Sequence, residues 1–305
     1  MSFKQFSWYH MQSPLLLSGD ALEEALSSDK AYSPHATQTR SIGWVSPLGA
    51  DEPLAITLQD YIWFKVRIDT RLLPASVVTE AVKEKLQERE AEQGFPVSGK
   101  QKRVLKEETT LELLPKAFIQ SKFINVVISP KDELLLVDNT SNATKDLVID
   151  LLRQTFGSMP LTHCHDQKNE TAQVLKAWTQ EQSLPHSLVV DTDCTLVHPD
   201  NMQAKVRIVQ HELGSPLIQS HLDSGMLVTQ LALKFENEWA FVINDCLDVS
   251  RIKMLDIDSD SQAEDDPKIQ IMTDFSLKVP KYFALINQFK TWFAITEAQE
   301  AAHAE

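Results

Sequence analysis

The sequence predicts an α+β fold, mainly antiparallel sheets with flanking helices and a protruding helical tip. Three observations lead there. Period-two apolar segments arrive in runs instead of alternating strictly with helices, which disfavours a doubly wound sheet. Residues 73–119 show helical spacing between two strand-like stretches. The chain has 305 residues, 43% of them hydrophobic and 24% charged, enough to bury a substantial core.

The elements follow in order. The first fifty residues are mixed, and Gly43-Trp44-Val45-Ser46-Pro47-Leu48-Gly49 reads as a turn-rich connection around a buried tryptophan. In the next segment Ile62, Phe64, Val66 and Ile68 share one strand face, and Trp63, Lys65 and Arg67 share the other. Leu73-Pro74 opens a helix whose apolar stripe (Val78, Ala81, Val82, Leu86) gives way to the all-polar run Gln87–Glu92 before Gly94 ends it. A helix that loses its stripe halfway projects from the body. Ser98-x-x-Gln101 has capping-box spacing and starts a second helix, which Pro115 closes. Together they predict a tip over 73–119 and a sheet-containing body over 1–72 and 120–305, with a division of the body near 160–200 left open.

Phe123–Ile128 and Glu133–Val137 flank a hairpin signal, and a helix is expected over Asn142–Phe156. A looser region runs to Pro185. Strands are expected near Leu188–Val190 and Ala204–Val209, then a short helix from Ser215-Pro216 to Gly225. Met226–Phe235, Trp239–Ile243 and Val249–Leu255 read as an antiparallel meander. Asp256–Asp266, with six acids, reads as a loop, and an aromatic-rich helix bearing Tyr282, Phe283, Ile286, Phe289, Trp292 and Phe293 follows.

The charge balance, 29 − 43, is −14. A uniformly basic surface is thereby excluded, but a local basic face is not. No apolar run reaches the roughly 18 residues of a membrane span. The start, Met1-Ser2-Phe3-Lys4-Gln5-Phe6, lacks the pattern of a secretory leader. Cys164, Cys194 and Cys246 are too few and too scattered for a disulfide framework, so the expectation is a cytoplasmic protein.

Most chemistry-bearing patterns fall short of their mechanism. Gly94 to Lys100 is one residue short of a phosphate-binding loop, and Gln101 stands where a magnesium-holding hydroxyl belongs. His163-Cys164-His165-Asp166, with Cys194 and His198, contains metal-capable atoms without paired zinc spacing. Asp256-x-Asp258-x-Asp260 lacks the glycine and closing glutamate of a calcium loop. No metal and no cofactor is therefore expected. Leu188-Val189-Val190-Asp191-Thr192-Asp193-Cys194-Thr195 is the sharper case. An apolar strand ending in Asp-x-Asp-x-Thr resembles the first motif of haloacid-dehalogenase-like phosphatases. In that alternative Asp191 is the nucleophile and Asp193 the general acid of a magnesium-dependent phosphohydrolase. The 114 residues after Asp191 leave little room for the rest of such a core.

The cations carry more. Lys65 and Arg67 share a strand face with Arg71 just beyond, and Lys205 and Arg207 repeat the arrangement on another strand. Lys100, Lys102, Arg103 and Lys106 sit at the start of the second tip helix, with Lys116 and Lys122 following. Cations gathered this way in an acidic chain form a lining that binds phosphate backbone without reading bases.

Several motifs then resemble the recombination-associated RdgC family. They are Phe3-Lys4, Gly43-Trp44-Val45-x-Pro47-x-Gly49, Leu73-Pro74, Glu90-Ala91-Glu92-Gln93, Leu105-Lys106-Glu107-Glu108, Leu113-Leu114-Pro115-Lys116-Ala117-Phe118, Val137-Asp138, Leu151-Leu152-Arg153, Phe156-Gly157-Ser158-Met159-Pro160 and Val228-Thr229-x-Leu231-Ala232-Leu233. Their order and spacing carry the resemblance over nearly the whole chain, least so over Leu161–Pro199. The resemblance implies a non-enzymatic, nucleoid-associated protein whose curved subunit forms a ring-shaped homodimer. Duplex DNA would thread its hole, largely regardless of sequence, and RecA-promoted strand exchange would be restrained. It also implies a gate contact between subunits at Phe118, with Lys116 beside it. The chain departs from the family at Phe95-Pro96-Val97-Ser98 and at Arg207-Ile208-Val209-Gln210-His211, both poorer in lysine and arginine than the family's pattern.

Overall fold

The computed structural model describes residues 3–13, 15, 17–163, 168–236, 238–254 and 266–293. Its first half contains β1 (Gln5–Met11), α1 (Gly19–Ser28), β2 (Arg40–Val45), β3 (Ala55–Leu58), β4 (Tyr61–Leu72), α2 (Ala75–Gln93), α3 (Gly99–Leu113), β5 (Phe118–Ser129), β6 (Leu134–Val137) and α4 (Asn142–Phe156). The second half adds β7 (Leu161–Thr162), α5 (Lys168–Thr179), β8 (Leu188–His198), β9 (Asn201–Ile208), α6 (Pro216–Asp223), β10 (Leu227–Phe235), β11 (Trp239–Asn244), β12 (Val249–Met254) and α7 (Pro267–Trp292).

Twelve strands form one sheet in the order β2-β4-β5-β6-β1-β12-β11-β10-β8-β9, with β3 on β4 and β7 on β1. The pairings of these strands are antiparallel, as expected for α+β. β1 joins the two halves. Ser7–His10 pair with β6, while Gln5 and Phe6 pair with Ser250 and Val249 of β12.

Strand alternation sorts the core into two layers. On one face, Tyr9, Phe64, Val66, Ile124, Val126 and Val137 pack with Leu22 and Leu26 of α1 and Val148, Leu151 and Leu152 of α4. On the other, Phe6, Trp8, Trp63, Leu196, Leu231 and Val249 pack with α5, α6 and α7. α7 spans both halves of the sheet: Phe275 stacks on Trp63 at 5.0 Å and Phe289 meets Phe241 at 5.9 Å. The Tyr282 hydroxyl accepts a hydrogen bond from the Phe3 amide at 3.0 Å. Buried Lys145 of α4 donates to both carboxylate oxygens of buried Asp248 at 3.0 and 3.2 Å, and His163 reaches the same carboxylate at 3.3 Å. Burial pushes Asp248 up, but His163 and Lys145 outweigh it and hold the carboxyl below its usual range.

α2 and α3 lie between β4 and β5 in sequence and pack on one another. Only Val78 of α2 is buried, in keeping with its fading stripe. Gly94 adopts φ 74°, the left-handed cap that glycine reaches without strain. The Ser98–Gln101 capping box is formed in both directions. A 3₁₀ turn, Leu114–Lys116, leads into β5.

Three expectations need correction. Gly43 is no turn residue. It lies within β2, where an added Cβ would sit 2.6 Å from the Ala31 backbone and the Asp29 carbonyl, so the glycine permits close approach of chain to chain. The first fifty residues hold β1, α1 and β2, and the looser region contains α5. The Asp-x-Asp-x-Thr segment does not end a strand: β8 runs on to His198 inside an antiparallel sheet. Of the acidic segment Asp256–Asp266 expected as a loop, residues 256–265 lie outside the described residues, as do Cys164–Asp166 of the histidine-cysteine cluster, and Asp266 caps α7.

Candidate nucleic-acid interface

The sequence-predicted cations occupy four places. The first is the outer stretch of β4. Lys65 and Arg67 project on the Trp63 side of the sheet. Lys65 Nζ lies 3.4 Å from the Pro47 carbonyl and 5.5 Å above the Phe123 ring, and burial pushes its ammonium below the usual lysine range. Arg67 Nε sits 3.1 Å from the carboxylate of buried Asp69. Arg71, farther along the strand, turns its guanidinium onto backbone. Its Nη1 donates to the carbonyls of Leu114 (3.2 Å), Pro115 (3.2 Å) and Ala117 (3.4 Å), and its Nη2 to that of Pro34 (3.0 Å). Arg71 therefore ties the 3₁₀ turn to the sheet.

The second place is α3 and the turn after it. Lys100, Lys102, Arg103 and Lys106 are all exposed. Arg103 donates to Glu107 at 3.2 Å, while the three lysines have no carboxylate partner among the described residues. Lys116 lies 3.5 Å from Glu112. A hydrogen bond from Lys85 is the main cause of the Glu112 carboxyl lying below its usual range. Two residues on, Phe118 opens β5 opposite Leu72 and is 86% exposed.

The third place is the opposite face of the same ribbon. Lys122 pairs with Ile68 in the β4–β5 register and donates to Thr144 of α4 at 3.3 Å. It lines a recess with Arg40, Thr70 and Gln120.

The fourth place is β9 at the far end of the sheet. Val206 and Ile208 pack toward the core, so alternation sends Lys205 and Arg207 to the face that no helix covers among the described residues. Both are exposed and have no carboxylate partner there. Three cations that sequence reading missed share this open face: Lys234, Arg251 and Lys253. Arg251-Ile252-Lys253 carries the same i, i+2 spacing that singled out Lys65 and Arg67. Lys234 pairs with Asp191 at 3.2 Å, and Arg251 with Asp193 at 3.0 Å. The two aspartates of the phosphatase-like motif thus sit mid-strand as ion-pair partners. Among the described residues, no three His, Cys, Asp or Glu side chains come together as a metal site would require.

Fold and site define an α+β protein with a one-sided open sheet, exposed cations on a strand and a helix, and an apolar ribbon end. A family model described as "Putative exonuclease, RdgC" matches residues 1–296. Recombination-associated protein RdgC of Bordetella parapertussis is 32% identical over 289 residues, covering 93% of this chain and 96% of that protein. The proteins of the same name from Dechloromonas aromatica and Pseudomonas fluorescens are each 34% identical, covering 84% and 87% of this chain and 85% and 87% of their own lengths. The chain belongs to the RdgC family. The relatives' names state an association with recombination, whereas the family model's description names an exonuclease. No helix among the described residues is long and apolar enough to cross a membrane.

Proposed function

We propose that the chain binds duplex DNA through its phosphate backbone, without reading sequence, as a homodimeric ring around the duplex, and that this occupancy restrains RecA-promoted strand exchange. One observation carries the reading. In a chain where acids outnumber bases 43 to 29, five of the exposed cations without a carboxylate partner among the described residues fall in two clusters: Lys100, Lys102 and Lys106 on the first turns of α3, and Lys205 and Arg207 on one face of β9. Exposed ion pairs contribute little, so the lack of partners is ordinary and the clustering is the informative part. Such segregation favours an external polyanion. Lys65, Arg67, Arg103, Lys116 and Lys122 supplement them, and Arg71 holds the ribbon that presents them.

Sheet geometry supports a shared lining. The Lys65–Arg67 pair and the Lys205–Arg207 pair occupy opposite faces of one sheet, eight strand steps apart. Ordinary twist of about 20–25° per step accumulates to about 160–200°, which turns opposite faces at the two ends toward a common direction. The tip reading over 73–119 is supported by the α2–α3 pair, whose helices have each other as their main contact. Phe118, at 86% exposure beside half-exposed Leu72, is an apolar end suited to a symmetric contact with Phe118 of a second copy. The reading places the protein in the cytoplasm, on the nucleoid, with no cofactor.

The test is fluorescence anisotropy with three unrelated duplexes of about 30 base pairs over a salt titration. Equal affinities are expected, with a log–log slope of about −4.5 if one subunit's five cations engage and about −9 if both subunits' do. Strong preference for one sequence, or no binding at low salt, overturns the reading. End-labelled duplex incubated with magnesium tests the exonuclease named by the family description: the reading expects full-length label, and progressive shortening contradicts it.

A further inference from the structure

We propose that the recess between Arg207 and Arg251 on the open sheet face seats a phosphate group, with Asp193 holding Arg251 until the phosphate displaces it. Three features converge. First, the recess is lined by Asp193, Thr195, Arg207, Gln230, Ser250 and Arg251, a donor-rich set. The Thr195 hydroxyl donates to Gln230 Oε1 at 3.3 Å, which leaves the Gln230 amide nitrogen to donate elsewhere. Second, the charges do not balance. Asp193 satisfies Arg251 at 3.0 Å, but Arg207 has no carboxylate among the described residues, so two guanidiniums face one carboxylate. An oxyanion with more than two oxygens can bond to both guanidiniums at once, as a tetrahedral phosphate does.

Third, the backbone is bent to put Arg251 there. Ser250 pairs with Val242 and Lys253 with Ala240, so β12 carries one extra residue against β11. Ser250 faces the recess, so in an uninterrupted strand alternation would send Arg251 to the core side. Instead Arg251 takes φ 53°, a left-handed conformation that non-glycine residues adopt at a cost of about 1 kcal/mol or more. Ile252 then resumes packing against the core. A bulge that re-aims a side chain into a polar recess is a feature of binding sites. The recess also explains why Asp193 is on β8: it keeps Arg251 extended toward the recess when no ligand is present.

The ligand class, a phosphodiester of duplex DNA, rests on the function proposed above; a free phosphate has the same chemistry, and the experiment separates them. Full-length chain carrying Arg251→Asn, Arg207→Gln, Asp193→Asn or Asp193→Asn with Arg251→Asn is compared with the parent. Asparagine tolerates the left-handed backbone at 251. Duplex anisotropy is read between 50 and 200 mM salt, and thermal unfolding is read with and without inorganic phosphate at fixed ionic strength. Arg251→Asn and Arg207→Gln are each expected to shallow the salt slope by about 0.9, so that the parent loses about 3.5-fold more affinity than either variant across that range. Asp193→Asn should bind duplex more tightly, and the gain should vanish when Arg251 is also replaced. If the parent binds duplex steeply and the folded variants track it, the recess has no such role while the duplex reading stands. If the parent binds no duplex but phosphate raises its melting temperature and not that of Arg251→Asn, the recess takes free phosphate and the duplex reading falls. Neither response overturns both. Should Arg251→Asn fail to fold, Arg207→Gln on the exposed strand decides alone.

Discussion

Replacing Arg71 separates a positioning role from a DNA contact. Its guanidinium donates to four carbonyls, those of Pro34, Leu114, Pro115 and Ala117, at 3.0–3.4 Å. Hydrogen bonds from a charged donor contribute about 1.5–3 kcal/mol each at best. Three of these share one nitrogen, and Pro115 is exposed enough for water to replace the lost donor. The expected loss for Arg71→Ala is therefore about 2–4 kcal/mol. Arg71→Lys is the sharper test. A lysine keeps the charge but lacks the planar fork, and it reaches one or two of the four carbonyls. Urea unfolding at unchanged m-value should show Arg71→Lys recovering less than half of the loss in Arg71→Ala. The duplex salt slope of Arg71→Lys should match the parent's. A lysine variant of full stability, or a stable alanine variant with a shallower salt slope, would refute the clamp and return Arg71 to the phosphate-contacting set.

Two further outcomes follow from the fold. Gly43→Ala places a methyl 2.6 Å from backbone atoms of Asp29 and Ala31, which are bonded to Trp44 at 2.9 Å in both directions, so neither side can move without breaking those bonds. A loss of about 2–3 kcal/mol is expected in chemical unfolding, and a loss below about 0.5 kcal/mol contradicts the close-approach account. Asp138 is pushed up to about 6 by burial, against the hydrogen bond from Asn125 and the charge of Lys122. With the folded value above the unfolded value of 3.8, the folded state holds more protons between those pH values, and stability falls as pH rises through that window. Asp138→Asn should flatten this dependence and raise stability at pH 7 by up to about 3 kcal/mol; parallel pH profiles for the two proteins would contradict it.

Legibility in the sequence followed the range of the interactions. α4 was readable to its residue limits, and α3 through its capping box, because caps and helical periodicity are local. The β10–β12 meander was readable because alternation survives in each strand. β8 was cut short, since Asp191 and Asp193 look like a strand end until Lys234 and Arg251 arrive from β10 and β12 to pair with them. Gly43 looked like a turn because close approach to residues 29–31 is a tertiary fact. The same limit applies to the site. Lys65, Arg67, Lys205 and Arg207 were visible as alternating cations, but their placement on opposite faces depends on which neighbours each strand packs against. Arg71 was indistinguishable from them until the carbonyls around it were known. Arg251 was hidden by a bulge that no local pattern announces.

The central claim is encirclement, and topology tests it most directly. Phe118→Cys in a Cys164→Ser background, joined between subunits by a short bismaleimide, would close the ring; Cys194 and Cys246 are buried and spared. The variant is loaded on a nicked circular duplex, then crosslinked, and washed in 1 M salt before and after the circle is cut once. Protein that survives the wash on the circle and leaves only after cutting is the predicted result. Release from intact and cut DNA alike, with crosslinking complete, would contradict encirclement.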